Sequence, residues 1–271
     1  MPELPEVETI KRDLFPIVTG QVIRNIDILS PSALFDGTPD ALNADVAGKV
    51  IADLFRRGKY LVFHLEDDKK LLVHHKMTGS FQVTKGSSAP PNHTRAIIYL
   101  KNGFALNFVD PRRFGRFQLT GPVAAVLDKL GPEPLGEGFT AGYLYETLAL
   151  RNVPLKPMLL DQEFIAGIGN LYADEILFAA RLSPKRLSST LTKSEVLCLH
   201  TGIQQVLEDA IKHKGASLVN YFRPSGEKGE AHLFFQVARR EGQGCMAGCG
   251  GTIDRITFHG RGTYYCPRCQ K

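Results

Sequence analysis

The chain has 271 residues, of which 43% are hydrophobic and 23% charged, and a formal net charge of +5. That length suits two domains with a sizeable core, and the composition excludes a disordered or collagen-like chain. No apolar run is long enough to span a bilayer, and the amino terminus is acidic instead of basic-then-apolar, which argues for a cytoplasmic protein without an export signal. The positive charge is unevenly placed. Residues 239–271 hold Arg239, Arg240, Arg255, Arg261, Arg268 and Lys271 against Glu241 and Asp254, which points to a polyanionic partner.

The chain opens Met1-Pro2-Glu3-Leu4-Pro5-Glu6-Val7-Glu8. Initiator Met is commonly removed before Pro, which would leave Pro2 as the amino terminus. A terminal Pro is a secondary amine with a pKa near the α-amino value of about 8, so a fair share is unprotonated at neutral pH. Such an amine can attack carbon as a Schiff-base Lys does. Glu3 and Glu6, at i,i+3 spacing, can share a helix face beside it, which sets a nucleophile next to two acid/base groups. The same residues also read as an ordinary helix start, with acids early, Lys11 and Arg12 later, and Val7, Ile10 and Leu14 as an apolar stripe. The two readings are compatible.

Strands are predicted over residues 22–29, 60–65, 71–75, 80–84, 96–100 and 104–109, separated by Gly, Asn and Asp turns. No helical crossovers intervene, so the sheet is expected to be antiparallel, a sandwich or flattened barrel. Arg56-Arg57-Gly58-Lys59-Tyr60 clusters positive charge at a Gly turn, which suits either a phosphate or a solvated strand edge. The breaker cluster of residues 131–136 marks a domain boundary. Helices are then predicted over 142–150, 169–180 and 193–213, the last with Thr192 and Glu195 as a capping box. Cys198 is read as a core residue of that helix. Ile165-Ala166-Gly167-Ile168-Gly169-Asn170 is a glycine-rich lead into a helix. It reads equally as a plain helix start or as a phosphate approach with Asn170 as the cap. Residues 217–229, rich in Gly, Ser and charge, are read as a loop.

Four of the five cysteines lie in the last 27 residues. Without an export signal this favours metal over disulfides. Cys245-x3-Cys249, sixteen residues, then Cys266-x2-Cys269 fits one tetrahedral Zn(II) per chain with four cysteine ligands. Such a site has no open position for water, so the ion is structural, a staple for a segment poor in apolar residues.

MPELPEVET, RRGKY at residues 56–60, DPRRFG at residues 110–115, the 165–170 segment and the cysteine tail resemble the bacterial formamidopyrimidine-DNA glycosylases (the MutM/Fpg family), and the resemblance extends from Met1 to Lys271. It implies an α+β multidomain fold: an amino-terminal helix plus antiparallel β-sandwich over 1–131, a helical helix–two-turn–helix DNA-binding domain over 137–235, and a four-cysteine zinc finger over 236–271. It implies a bifunctional DNA glycosylase/AP lyase of base excision repair. Such an enzyme flips out and excises oxidised purines (8-oxoguanine, formamidopyrimidines) through an amino-terminal proline Schiff base and nicks the strand by β,δ-elimination. The partner is double-stranded DNA with oxidised bases or abasic sites, and the setting the bacterial nucleoid. A monomer is expected, since no spare apolar interface is visible.

The resemblance also assigns roles. Pro2 is the nucleophile, Glu3 a general acid/base, and Glu6 orders water or holds the amino terminus. Lys59 contacts DNA and assists catalysis, and His74 contacts a phosphate. Met77, Arg112 and Phe114 fill the gap left by the flipped base. Lys156 lies by the damaged base, Asn170 binds DNA backbone, and Arg261, at a predicted hairpin tip, grips phosphates around the flipped nucleotide. The sequence departs from the family pattern at His75-Lys76, at residues 92–95, at Lys214 where Gly is common, at Ala238 where Tyr is typical, and in the Cys-x3-Cys spacing. Two alternatives remain. One is the sister endonuclease VIII-like activity on oxidised pyrimidines, against which RRGKY and DPRRFG argue. The other is a zinc-finger nucleic-acid-binding protein that has lost catalysis, against which Pro2 and Glu3 argue.

Overall fold

Helix α1 (Leu4–Val18) starts at a reciprocal capping box, in which the Glu3 side chain accepts the Glu6 backbone N–H and the Glu3 N–H donates to Glu6 Oε2 at 2.8 Å. Val7, Ile10, Leu14 and Val18 form one helical stripe and are fully buried. The structure, a computed structural model, describes residues 1–218 and 221–271. These fall into two compact units, Met1–Asp128 with His213–His232, and Lys129–Lys212 with Leu233–Lys271.

The first unit is built from α1, a short helix α2 (Pro39–Val46), helix α3 (Ala125–Asp128) and eight strands. The strands are β1 (Ile23–Ile28), β2 (Ile51–Arg57), β3 (Tyr60–Leu65), β4 (Lys70–His74), β5 (Ser80–Lys85), β6 (Thr94–Leu100), β7 (Phe104–Val109) and β8 (Arg116–Thr120). They make two four-stranded sheets in the orders β1-β6-β7-β5 and β2-β3-β4-β8, with every pair antiparallel. The sheets meet through aromatic rings. Phe81 and Phe108 of one lie 6.1 and 5.0 Å from Phe63 and Phe117 of the other, respectively.

The antiparallel sandwich is as expected, but β2 and β8 are additional strands. β2 buries only Ile51 and Leu54, and β8 only Phe117, so neither shows the alternation that marks a strand in sequence.

His75 sits in this core. It is 1% exposed, its ring lies 5.8 Å from Phe81 and 5.9 Å from Phe108, and neither ring nitrogen has a hydrogen-bond partner among the described residues. Burial pushes its pKa from 6.5 down to about 4, against a smaller upward pull from Asp110. The unfolded chain therefore takes up a proton that the folded chain refuses. This contribution to stability is intact above 6.5 and is lost as pH falls toward about 4. His75→Leu is expected to raise the unfolding free energy by about 1–2 kcal/mol at neutral pH, by removing a buried unpaired polar ring. It should also remove on the order of 3 kcal/mol of the acid-side loss. Urea titrations between neutral and acid pH check both; a variant less stable than wild type at neutral pH would contradict the first.

The second unit packs helices α4 (Ala141–Ala149), α5 (Leu155–Leu160), α6 (Asn170–Ala179) and α7 (Lys193–Lys212) with an antiparallel hairpin, β9 (Asp254–Phe258) and β10 (Arg261–Tyr265). The capping box expected before α7 is present. Thr192 N–H donates to Glu195 Oε2 at 2.8 Å, and Glu195 N–H to Thr192 Oγ1 at 3.3 Å.

Three details differ from expectation. Gly169, not Asn170, is the N-cap of α6, and Asn170 is its first residue. Cys198 is exposed, because the buried face of α7 runs through Val196, Leu199, Ile203 and Leu207. The described part of residues 217–229 packs in the first unit, although it was grouped with the helical domain. Arg223 makes a bidentate ion pair with Asp13 at 2.8 and 2.9 Å, and Val83 N–H donates to Pro224 O at 3.1 Å. Val219 and Asn220 of that stretch lie outside the described residues. No helix among the described residues is long and apolar enough to cross a membrane.

Candidate active site

Pro2, Glu3 and Glu6 are buried together at the start of α1, while Met1 is exposed. Glu6 uses both carboxylate oxygens as braces. Oε2 takes the Glu3 N–H, and Oε1 takes the Ala216 N–H at 2.8 Å. The close approach requires Gly215, whose φ is +76° and where a Cβ would stand 2.9 Å from Glu6 Cγ. Lys214 beside it holds φ +62°, so the usual glycine there is replaced without loss of the left-handed turn.

Lys59 reaches the same unit through register. Arg57 pairs with Tyr60, which leaves Gly58-Lys59 as a two-residue hairpin turn with Gly58 at φ +56°. Arg56, just before the turn, bonds Glu8 of α1 at 3.1 Å and Gly58 O at 3.0 Å, so the hairpin is tied to the helix that carries Glu3 and Glu6. Burial alone would raise the Glu8 carboxyl, but Arg12, Arg56 and Lys11 together hold it below the ordinary value. Lys59 itself is only 8% exposed.

Tyr60 pairs with His74 across β3 and β4, and the rings meet edge-on at 4.8 Å. His74 Nδ1 accepts the Lys76 N–H at 2.9 Å, which leaves Nε2 as the protonated nitrogen. Burial first, then the charges of Lys76, His75 and Lys59, lower His74 to about 3. It is thus a neutral N–H donor across the physiological range.

The chain next crosses between the sheets twice, at residues 75–79 and 110–115. Met77 and Phe114 project from these crossings 42% and 44% exposed, large apolar side chains left outside the core. The Arg112 guanidinium lies 4.8 Å over the Phe114 ring. Sequence reasoning passed over the group that joins the two crossings, Asp110, which accepts from the Thr78 hydroxyl and from the Gly115 N–H at 2.7 Å. Its position one residue before a proline-led turn was the available signal.

In the second unit Lys156 is buried and engaged within the protein. Its side chain is 1% exposed, and Nζ donates to Gly262 O at 3.0 Å and Thr263 Oγ1 at 2.8 Å and pairs with Asp174 at 2.7 Å. An ammonium committed in this way offers no donor to a base or phosphate. It braces the β9–β10 hairpin instead. Asn170 joins it, donating from Nδ2 to the same Gly262 O at 3.0 Å, and Asp174 Oδ2 accepts the Tyr264 N–H at 3.1 Å. Burial pushes Asp174 up to about 7 although Lys156 opposes this. Neighbouring Glu175 accepts the N–H groups of Gln236, Val237 and Ala238 at 2.8, 2.9 and 2.7 Å. These contacts use backbone, so Ala238 satisfies them without a tyrosine ring. Asp174 and Glu175 were not singled out in sequence; an adjacent acid pair in an otherwise apolar helix was the signal.

The hairpin presents Arg261. The two-residue turn is His259-Gly260, both at positive φ, and Arg261 is the exposed first residue of β10, paired with Phe258. It therefore stands beside the tip instead of at it.

The four tail cysteines converge. Their sulfurs all lie within 4.8 Å of one another, with Cys245 to Cys269 at 3.7 Å and Cys249 to Cys266 at 3.5 Å. A tetrahedron of thiolates at the usual zinc–sulfur length has edges of about 3.8 Å, so these residues fit a four-coordinate metal, and the wider first spacing does not prevent it. The Gly251 N–H donates to Cys249 Sγ at 3.4 Å, the kind of support that orients a ligand sulfur.

Comparison with known proteins agrees with this arrangement. Three family models match: the formamidopyrimidine-DNA glycosylase N-terminal domain over residues 1–117, the formamidopyrimidine-DNA glycosylase H2TH domain over 130–221, and the zinc finger found in FPG and IleRS over 245–271. A formamidopyrimidine-DNA glycosylase of Pelotomaculum thermopropionicum is 41% identical over 100% of this chain and 99% of its own. The crystal structure of the MutM (Fpg) protein from Thermus thermophilus superposes with a TM-score of 0.89 at 40% identity, covering 99% of this chain and 98% of that one. A Lactococcus lactis Fpg mutant in complex with a Fapy-dG containing DNA superposes with a TM-score of 0.92 at 34% identity, covering both chains completely. The chain belongs to the formamidopyrimidine-DNA glycosylase family.

Proposed function

We propose that this protein is a bifunctional DNA glycosylase/AP lyase that excises oxidised purines, 8-oxoguanine and formamidopyrimidines, from double-stranded DNA. The observation that carries the reading is the buried grouping of Pro2, Glu3 and Glu6 at the head of α1, with the Lys59 hairpin tied to the same helix through Glu8 and Arg56. Membership of the family supports it, as does the Fapy-dG complex of the L. lactis relative.

Once Met1 is removed, the Pro2 nitrogen attacks C1′ of the flipped nucleotide and the glycosidic bond breaks. The proton released from the Pro2 nitrogen goes to the departing base, and Glu3 gives a proton to the ring oxygen as the sugar opens and the iminium forms. The resulting iminium acidifies C2′. Loss of that proton expels the 3′ phosphate, and a second elimination expels the 5′ phosphate. Glu6 holds the amino terminus through the two N–H bonds it accepts. Lys59 supplies positive charge beside the reacting sugar. His74 donates its Nε2–H to a phosphate, and Arg261 binds phosphates from the hairpin. Met77, Arg112 and Phe114 occupy the vacated stack. Lys156 and Asn170 act on DNA through the hairpin that they brace. One Zn(II) on Cys245, Cys249, Cys266 and Cys269 supplies structure and no chemistry.

Borohydride trapping tests the proposal. A duplex with one 8-oxoguanine opposite cytosine should yield a reduced protein–DNA adduct whose crosslinked residue is Pro2. Preferential trapping on a dihydrothymine duplex would move the protein to the pyrimidine activity. Lesion-specific binding with no adduct on either, from protein with a free Pro2, would leave only a binding function.

A further inference from the structure

The side chains assigned to the duplex gap come from two separate crossings between the sheets, β4 to β5 and β7 to β8. Met77, Arg112 and Phe114 all lie outside the paired strands, so no ladder pair sets their relative positions. One buried carboxylate joins the two crossings. Asp110, 1% exposed, accepts from the Thr78 hydroxyl on Oδ1 and from the Gly115 N–H on Oδ2 at 2.7 Å. The Arg112 N–H points at the same pair, 3.3 Å from Asp110 Oδ1 and 3.4 Å from Thr78 Oγ1. The Asp110 carbonyl accepts Arg95 Nε at 2.9 Å and the Arg113 N–H at 3.3 Å. Both crossings also rest on the Phe108 ring: a Cβ at Gly79 would stand 2.5 Å from it and one at Gly115 2.4 Å. Each contains a non-glycine residue at positive φ, Lys76 at +52° and Arg113 at +62°, a conformation held only when its surroundings enforce it.

We propose that Asp110 is the positioning residue of the duplex wedge, locking the Met77 crossing to the Arg112–Phe114 crossing so that the three side chains enter the stack as one piece. This rests on the reading above that these side chains fill the gap. The chemistry requires a carboxylate. Donors from both crossings converge on it, and an ionised Asp is acceptor-only, whereas an amide would set its own N–H groups against one of them. A wedge whose two backbone crossings are fixed to one another before it meets DNA gives up less freedom at insertion, which is where preorganisation acts.

The test compares wild type with Asp110→Asn, Thr78→Val and Thr78→Ser. One readout is the fluorescence rise of 2-aminopurine placed beside an abasic-site analogue in a duplex, which reports unstacking by the wedge and needs no bond to break. The other is nicking of 8-oxoguanine in a duplex against nicking of a preformed abasic site in a single strand, where there is no stack to enter. Asp110→Asn is expected to lose most of the fluorescence rise and to slow duplex excision about ten- to a hundredfold. Its single-strand nicking should stay within about twofold of wild type. Thr78→Val should follow it to a smaller extent, and Thr78→Ser, which keeps the hydroxyl, should restore both readouts. A full fluorescence rise in Asp110→Asn, or equal losses on both substrates, overturns the proposal. Should Asp110→Asn not fold, the Thr78 pair decides by the same criterion. If wild type nicks nothing, the enzyme reading has failed, and the fluorescence readout still decides the role of Asp110.

Discussion

Protein that retains Met1 is expected to bind damaged DNA and leave no covalent adduct. With Met1 in place the Pro2 nitrogen is a tertiary amide whose lone pair is delocalised into the carbonyl, and it cannot attack carbon. Removal of Met1 converts it to a secondary amine with a pKa near the α-amino value of about 8. The site surrounds that nitrogen without touching its chemistry. Pro2 is buried, Glu3 caps α1, and Glu6 is committed to the Glu3 and Ala216 N–H groups. A chain with Met1 should therefore fold and dock normally. Pro2→Gly is the sharper variant, because it leaves a primary amine in place of the secondary one. It should lower borohydride trapping and nicking by about ten- to a hundredfold, because the primary amine can still attack but is less constrained and less nucleophilic than the secondary one, with lesion affinity little changed. Mass analysis of the amino terminus alongside the trapping assay checks both. Full activity from protein carrying intact Met1 would remove Pro2 from the reaction, and equal nicking by Pro2→Gly would show that proline is not the specific catalytic requirement.

Much of this site was legible in the sequence because its chemistry is carried by local spacing. The helix start at Glu3 and Glu6, the capping box at Thr192–Glu195 and the four converging cysteines each depend on residues near one another in the chain, and the structure contains all of them. What was not legible depends on long-range partners. Lys156 gave no sign of burial, because its partners Asp174, Gly262 and Thr263 are far along the chain. Asp110 was hidden for the same reason: its importance comes from Thr78 on another crossing. Strands β2 and β8 were missed since their inward residues are too few to alternate visibly. Cys198 is a different error. The stripe Val196, Leu199, Ile203 and Leu207 already placed it off the buried face, and the apolar composition of the stretch outweighed the period.

Removal of the metal from the four-cysteine site is expected to abolish both lesion binding and adduct formation, although the site lies in residues 245–271 and contributes no reacting atom. The finger has little else to hold it. Its buried cluster is Phe178, Val237, Ile253 and Cys266, too small a core to order a segment of this length unaided. Structural zinc sites contribute roughly 10–16 kcal/mol at neutral pH, far more than such a cluster supplies. The loss propagates through named contacts. Once β10 is free, Gly262 O and Thr263 Oγ1 no longer receive Lys156 Nζ, and Asp174 loses the Tyr264 N–H. Lys156 and Asp174, each 1% exposed, would then keep a buried charge pair stripped of most of its hydrogen bonds, a state that costs several kcal/mol and drives local opening of α5 and α6. Arg261 leaves its fixed place with the same strand. Cys249→Ser, or a strong chelator with the metal assayed by a chromophore, should release about one zinc per chain. The release should lower lesion affinity by about a thousandfold or more, since it removes an anchored Arg and its supporting hairpin together. The order of events distinguishes this from general unfolding. Amide protection in β9 and β10 should vanish first and that of the sandwich strands should persist. Metal-free protein that keeps its hairpin protection and its DNA affinity would show that the cysteines are not a metal staple.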